Sequence, residues 1–84
     1  MPSLCDVEVS SDRVVDLIMA CLGKMELYYF DGIPDLGVKV FHSGNMTVFY
    51  DAKEKTVKLY VVNGGRERVF VIPCECIMKK LEKK

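Results

Sequence analysis

The chain has 84 residues, half of them hydrophobic and 29% charged, with twelve basic and twelve acidic side chains that leave no net charge. That balance excludes a disordered chain and a generally basic nucleic-acid binder, and the length gives one small domain that buries only roughly 60–65% of the surface its unfolded chain exposes. The charge is unevenly spread, with two bases against seven acids in residues 1–36 and ten bases against five acids in residues 37–84, a polarity that suits head-to-tail association as well as a basic ligand face.

Residues 1–9 show no clear periodicity. Ser10, Ser11 and Asp12 then offer helix N-caps, and Val14, Leu17, Ile18, Cys21, Leu22 and Met25 recur at helical spacing, with Gly23 as the residue for a left-handed stop. This predicts a one-sided helix. Residues 25–30, with two tyrosines and a phenylalanine, read as a first strand before an Asp31-Gly32 turn. Beyond Pro34, residues 36–42 read as a second strand that Gly37 would bend. Ser43-Gly44-Asn45 turns the chain into a third strand, 46–51, and 52–55 form a charged turn.

Residues 56–62 and 68–73, hinged on Asn63-Gly64-Gly65-Arg66, read as a hairpin. Val57, Leu59 and Val61 face one way, yet Tyr60 and Val62 opposite them are hardly less apolar, and Phe70 and Ile72 lie opposite Val69 and Val71. Strands apolar on both faces must be covered on both. A chain this short has one core, so part of the hairpin is expected to meet another copy. Residues 74–84, with Ile77, Met78 and Leu81 against Glu75, Lys79, Glu82 and Lys83, read as a short helix with a lysine-rich end.

No apolar run approaches the roughly 20 residues of a membrane span, and the first residues lack the plan of a signal peptide, so no membrane role and a cytoplasmic location are expected. In that setting the four cysteines are expected as buried thiols. Were any oxidised, Cys74 and Cys76 stand too close for an easy mutual bridge, and each would join Cys5, Cys21 or another subunit. Cys74-Glu75-Cys76 is not the two-residue-spaced knuckle that zinc favours, so no metal and no cofactor are expected. With one histidine and no grouped nucleophile, base and orienter, neither is an enzyme.

A helix followed by five short strands, the second containing a bending glycine, resembles the Sm-like (LSm, Hfq-type) family. Leu22-Gly23-Lys24 is similar to the close of the family helix, and Asp31-Gly32 followed by Gly37-Val38 to its first turn and bent second strand. Asn45-Met46-Thr47-Val48 before Asp51-Ala52 resembles the end of the first Sm motif, and Gly65-Arg66 followed by Glu67 to Pro73 the second. The resemblance covers residues 11–73. It implies a mainly β fold, an N-terminal helix on a bent five-stranded antiparallel barrel of the small Sm-like or SH3-like kind, with residues 74–84 as a helical extension.

The resemblance also implies a function. Sm-like proteins form rings in which the fourth strand pairs with the fifth of a neighbour, which here would use Val57, Leu59 and Val61 with Val69, Phe70 and Val71. Family members bind single-stranded, uridine-rich RNA at the pore in RNA processing. That assigns RNA contact to His42, Asn45, Thr47, Asn63, Gly65 and Arg66, with Asn45, Thr47 and Gly64 standing where the family carries its His-type residue, Asn and Arg. Two other readings of the residues are an oligomeric structural or protein-interaction module and a single-stranded DNA-binding dimer with its basic residues on one sheet face.

Overall fold

The computed structural model describes residues 2–24, 26–29 and 35–82. The expected turn at Asp31-Gly32 and Pro34 lies outside them. Two short strands open the chain, β1 (Ser3–Leu4) and β2 (Val7–Glu8), followed by helix α1 (Ser11–Ala20), a 3-10 turn (Leu22–Lys24), five further strands, β3 (Glu26–Tyr29), β4 (Val38–Ser43), β5 (Met46–Asp51), β6 (Thr56–Asn63) and β7 (Arg66–Pro73), and helix α2 (Cys74–Glu82). The fold is mainly β, with two helices and antiparallel sheets.

Residues 1–9 are more than a lead-in. β1 and β2 form a hairpin whose two central residues, Cys5 (φ 54°) and Asp6 (φ 64°), both sit in the left-handed region. Side chains rarely adopt that conformation, and two contacts hold it: Cys5 is bridged to Cys74, and the Tyr50 hydroxyl donates to Asp6 Oδ2 at 3.0 Å. Leu4 and Val9 are thereby buried in the core. The helix stops short of its expected left-handed glycine. Cys21 leaves helical geometry (φ −106°, ψ 17°), its N–H still donating to Ile18, and Gly23 falls in the 3-10 turn without a positive φ.

The large sheet has the order β3-β7-β6-β5-β4, antiparallel throughout. The expected barrel is not closed. Four antiparallel steps leave the outermost strands, β3 and β4, running the same way, and parallel neighbours need a crossover of about a dozen residues or more, which the link between Tyr29 and Val38 does not supply. Gly37 precedes β4 instead of bending it. Its φ of +99° lets the chain pass the backbone of Tyr50 and Asp51, where an added Cβ would lie 2.8 Å from the Tyr50 carbonyl carbon. The bend falls at a bulge between Lys39 and Phe41, which turns Val40 and Phe41 together toward the core.

One face of the sheet carries Val48, Tyr50, Val57, Leu59 and Ile72, buried with Val14, Leu17 and Ile18 of α1 and Ile77 of α2. Truncating a fully buried Ile72 or Ile77 to alanine would cost about 2–5 kcal/mol. The opposite, outer face also buries Val69 and Lys58. The Lys58 ammonium donates to Asp51 Oδ2 at 2.7 Å and to the Asp35 carbonyl at 3.2 Å, so the approach to β4 passes over this face.

All four cysteines are oxidised, which corrects the expectation of thiols. Cys5 is bonded to Cys74 and Cys21 to Cys76, with Cα separations of 5.8 and 6.2 Å. The chain thus fastens its N-terminal hairpin and the end of α1 to the first turn of α2.

Candidate functional site

The loop end of the sheet is built by two tight turns. Gly44 (φ 60°) heads the turn between β4 and β5, and Gly64 (φ 59°) with Gly65 (φ 78°) forms the one between β6 and β7. Two-residue hairpin turns need these positive angles, so glycine stands there for backbone reasons. The turns are tied together: Asn45 Nδ2 donates to the Val62 carbonyl at 2.7 Å, and the Val62 N–H donates back to the Asn45 carbonyl at 3.1 Å. Asn45 is therefore the fastening between two loops, with its amide nitrogen committed to the backbone.

Cross-strand register places His42 opposite Thr47, Thr47 opposite Tyr60, and Tyr60 opposite Val69, which makes one lateral row on the outer face. His42 Nδ1 lies 2.9 Å from Thr47 Oγ1. With the ring neutral and its proton on Nε2, Nδ1 accepts the threonine hydrogen and Nε2–H remains as an outward-capable donor. Tyr60 donates to Glu67 Oε2; this acceptor, with burial, pushes the phenol above its ordinary range. Lys39, Phe49, Lys58 and Val71 form the next row on the same face.

The predicted contact residues therefore separate. His42 and Thr47 share the outer face and touch, and Asn63 and Gly65 lie exposed at the adjoining turn. Arg66 is exposed there too, but strand alternation puts it and its cross-strand partner Asn63 with Arg68, Val61 and Met46, on the side of the sheet that bears the helices. Tyr60 and Phe49 were missed as site residues. Their signal was in the sequence, since hairpin register through the charged turn 52–55 sets Tyr60 opposite Thr47 and Lys58 opposite Phe49. On the outer face Lys58 is paired with Asp51, Glu67 stands beside Tyr60, and Lys39 is exposed.

The predicted strand-pairing interface needs correction. β6 lies between β5 and β7, and β7 between β6 and β3, so Val57, Leu59, Val61, Val69, Phe70 and Val71 stand on strands whose hydrogen-bonding edges are already taken within the chain. A neighbour could pair there only by opening the longest hairpin of the fold. Among the described residues, the edges left to the sheet are β3 and β4.

At the opposite end, a cleft of about 430 Å³ is lined by Ser3, Asp6, Asp35, Tyr50, Asp51 and Lys53 among others. Burial, with Asp6 and Asp51 nearby, raises the Tyr50 phenol above its ordinary range. Among the described residues no group of histidine, cysteine and carboxylate side chains is placed to hold a metal ion, and no helix is long and apolar enough to cross a membrane. No family model, curated protein or solved structure matches the chain.

Proposed function

We propose that the chain is a single-stranded RNA-binding module that takes RNA across the loop end of its sheet. The observation that carries this reading is the row of His42, Thr47 and Tyr60 on one face, beside two turns that Asn45 locks together. Flat rings on a sheet are stacking platforms for unpaired bases. His42 and Tyr60 are two strands apart, about 10 Å at the usual spacing, so each takes its own base. Thr47 supplies a hydrogen bond at a base edge. Arg66 and Arg68, round the rim, take the phosphates as the strand leaves the face.

The resemblance to Sm-like proteins supports RNA as the ligand class, though a ring built through β6 and β7 is not part of the proposal. Thr47 offers one hydroxyl where the family's Asn offers a donor and an acceptor, and Gly64 stands where it carries an Arg, so binding is weaker and less selective for uridine. A cytoplasmic RNA binder with two disulfides fits the cell interior of a hyperthermophile, where such bridges persist.

Anisotropy titrations of short uridine-rich and adenine-rich RNAs at two salt concentrations test the proposal. Binding should weaken with salt, and Arg66→Ala should lower the salt slope by roughly one. No binding at low salt would transfer the case to a protein-interaction module.

A further inference from the structure

His42 and Thr47 share a hydrogen bond that can run in either direction. Nδ1 of the ring lies 2.9 Å from Oγ1 of the hydroxyl, His42 is exposed and Thr47 half-buried, and register sets the two opposite one another on β4 and β5. β4 is an outermost strand, so the far side of the ring borders no further strand among the described residues. A threonine hydroxyl has one hydrogen and two lone pairs. Where the hydrogen goes fixes what the hydroxyl offers to a ligand.

With the ring neutral and its proton on Nε2, Nδ1 carries no hydrogen and Thr47 donates to it. The hydroxyl then has only lone pairs to show, and it accepts. When the ring takes a proton from solvent at Nδ1, both ring nitrogens are donors. Nδ1–H now donates to Oγ1, using one lone pair, and the Thr47 hydrogen turns outward to donate. One proton gained by His42 thus reverses the hydrogen-bonding sign of Thr47 with no movement of the backbone. Imidazole is the side chain that makes this change between about pH 5 and pH 8. The other charged and titratable groups on the face are Lys39 on β4, Lys58 and Tyr60 on β6, Asp51 on β5 and Glu67 on β7, with Asp35 above Lys58. All three carboxylates are engaged away from the ring, Asp51 by Lys58, Glu67 by Tyr60 and Asp35 by the Gly37 N–H, which leaves Thr47 as the partner of Nδ1.

We propose that the His42–Thr47 pair sets which base the outer face reads, and that pH reverses the choice. This rests on the RNA reading above and deepens it. At the centre of the pairing edge, uracil and guanine carry an N–H, whereas cytosine and adenine carry a bare ring nitrogen. A neutral His42 makes Thr47 an acceptor, which suits uracil and guanine; a protonated His42 makes it a donor, which suits cytosine and adenine. The wrong base sets lone pair against lone pair or hydrogen against hydrogen, and one hydrogen bond is lost. The charge on His42 also attracts the phosphates of every RNA alike, so the ratio of two affinities carries the switch.

Anisotropy titrations with short uridine-only and cytidine-only RNAs from about pH 8 down to about pH 5 read that ratio. The preference for uridine at the high end should fall by about three- to tenfold at the low end, with the midpoint at the pH where NMR shows His42 titrating. Thr47→Val should lower the uridine preference at the high end and make the ratio independent of pH, Thr47→Ser should keep both, and His42→Phe, which retains a flat ring, should also remove the pH dependence; circular dichroism checks that each variant is folded. Long-range ¹H–¹⁵N spectra of the free protein should show neutral His42 protonated at Nε2. A neutral ring protonated at Nδ1, a wild-type ratio constant across the range, or a ratio that still shifts in Thr47→Val would each overturn the proposal while RNA binding itself stands. No binding of any RNA at low salt would overturn the RNA reading and this switch with it.

Discussion

Replacing Cys5 and Cys74 together by alanine is the perturbation whose size the fold predicts most fully. The two bridges close overlapping loops, with sequence separations of 69 and 55. Once Cys21–Cys76 is formed, the Cys5–Cys74 bridge closes only the short path back along α1 and across the first bond, about 18 residues, which in the chain-entropy account stabilises by about 3 kcal/mol. For a domain of this size that is a fall in Tm of about 12–24 °C. The first bridge to close spans the long loop and contributes about 4 kcal/mol on the same account. Losing both removes about 7 kcal/mol, within the whole stability of a small domain. Thermal unfolding by circular dichroism, with and without a strong reductant, measures each step. The double variant should melt well below wild type, and reduced wild type lower still. A drop of less than about 5 °C in either case would refute the reasoning, because it would mean that the hairpin and α1 hold their places on α2 without the bonds.

Gly37→Ala should destabilise the fold by about 1–3 kcal/mol, read from urea unfolding, since the added Cβ meets the Tyr50 backbone and φ is +99°. Asp51 supplies a pH dependence. The Lys58 ammonium, with the Glu54 and Lys53 N–H groups, holds its carboxyl below the usual range despite burial. Its stabilising contribution is therefore full above the unfolded carboxylate value near pH 4 and is lost as pH falls through the lower folded value. Asp51→Asn should flatten the acid limb of the stability–pH curve and lower stability at neutral pH, where Lys58 is left buried beside an amide.

The hairpin of β6 and β7 was legible because Gly64-Gly65 between apolar runs fixes both turn and register, and β5 was legible from its alternation. The first nine residues were not, since a two-residue strand pair has no period to read, and its turn uses Cys5 and Asp6 where glycine is the usual signal. The disulfides escaped for a related reason. Spacing could say that Cys74 and Cys76 must bond elsewhere, but only the packing of α1 on α2 decides whether they bond at all. The place of β3 beside β7 was not legible, because nothing in its own residues says which strand it pairs with. At the candidate site, Thr47 was named from the resemblance and His42 as the lone histidine, whereas Tyr60 needed the register, and strand alternation sets Arg66 on the other face.

The central claim is that single-stranded RNA lies on the outer face at the loop end, and an NMR titration of ¹⁵N-labelled protein with a short uridine-rich RNA tests it directly. Shifts should concentrate at His42, Thr47, Tyr60, Asn63 and Arg66, and Tyr60→Ala should abolish most of the affinity, base stacking on one aromatic ring being worth about 1–3 kcal/mol. Shifts confined to the cleft around Asp6 and Tyr50, or no shifts at low salt, would contradict it.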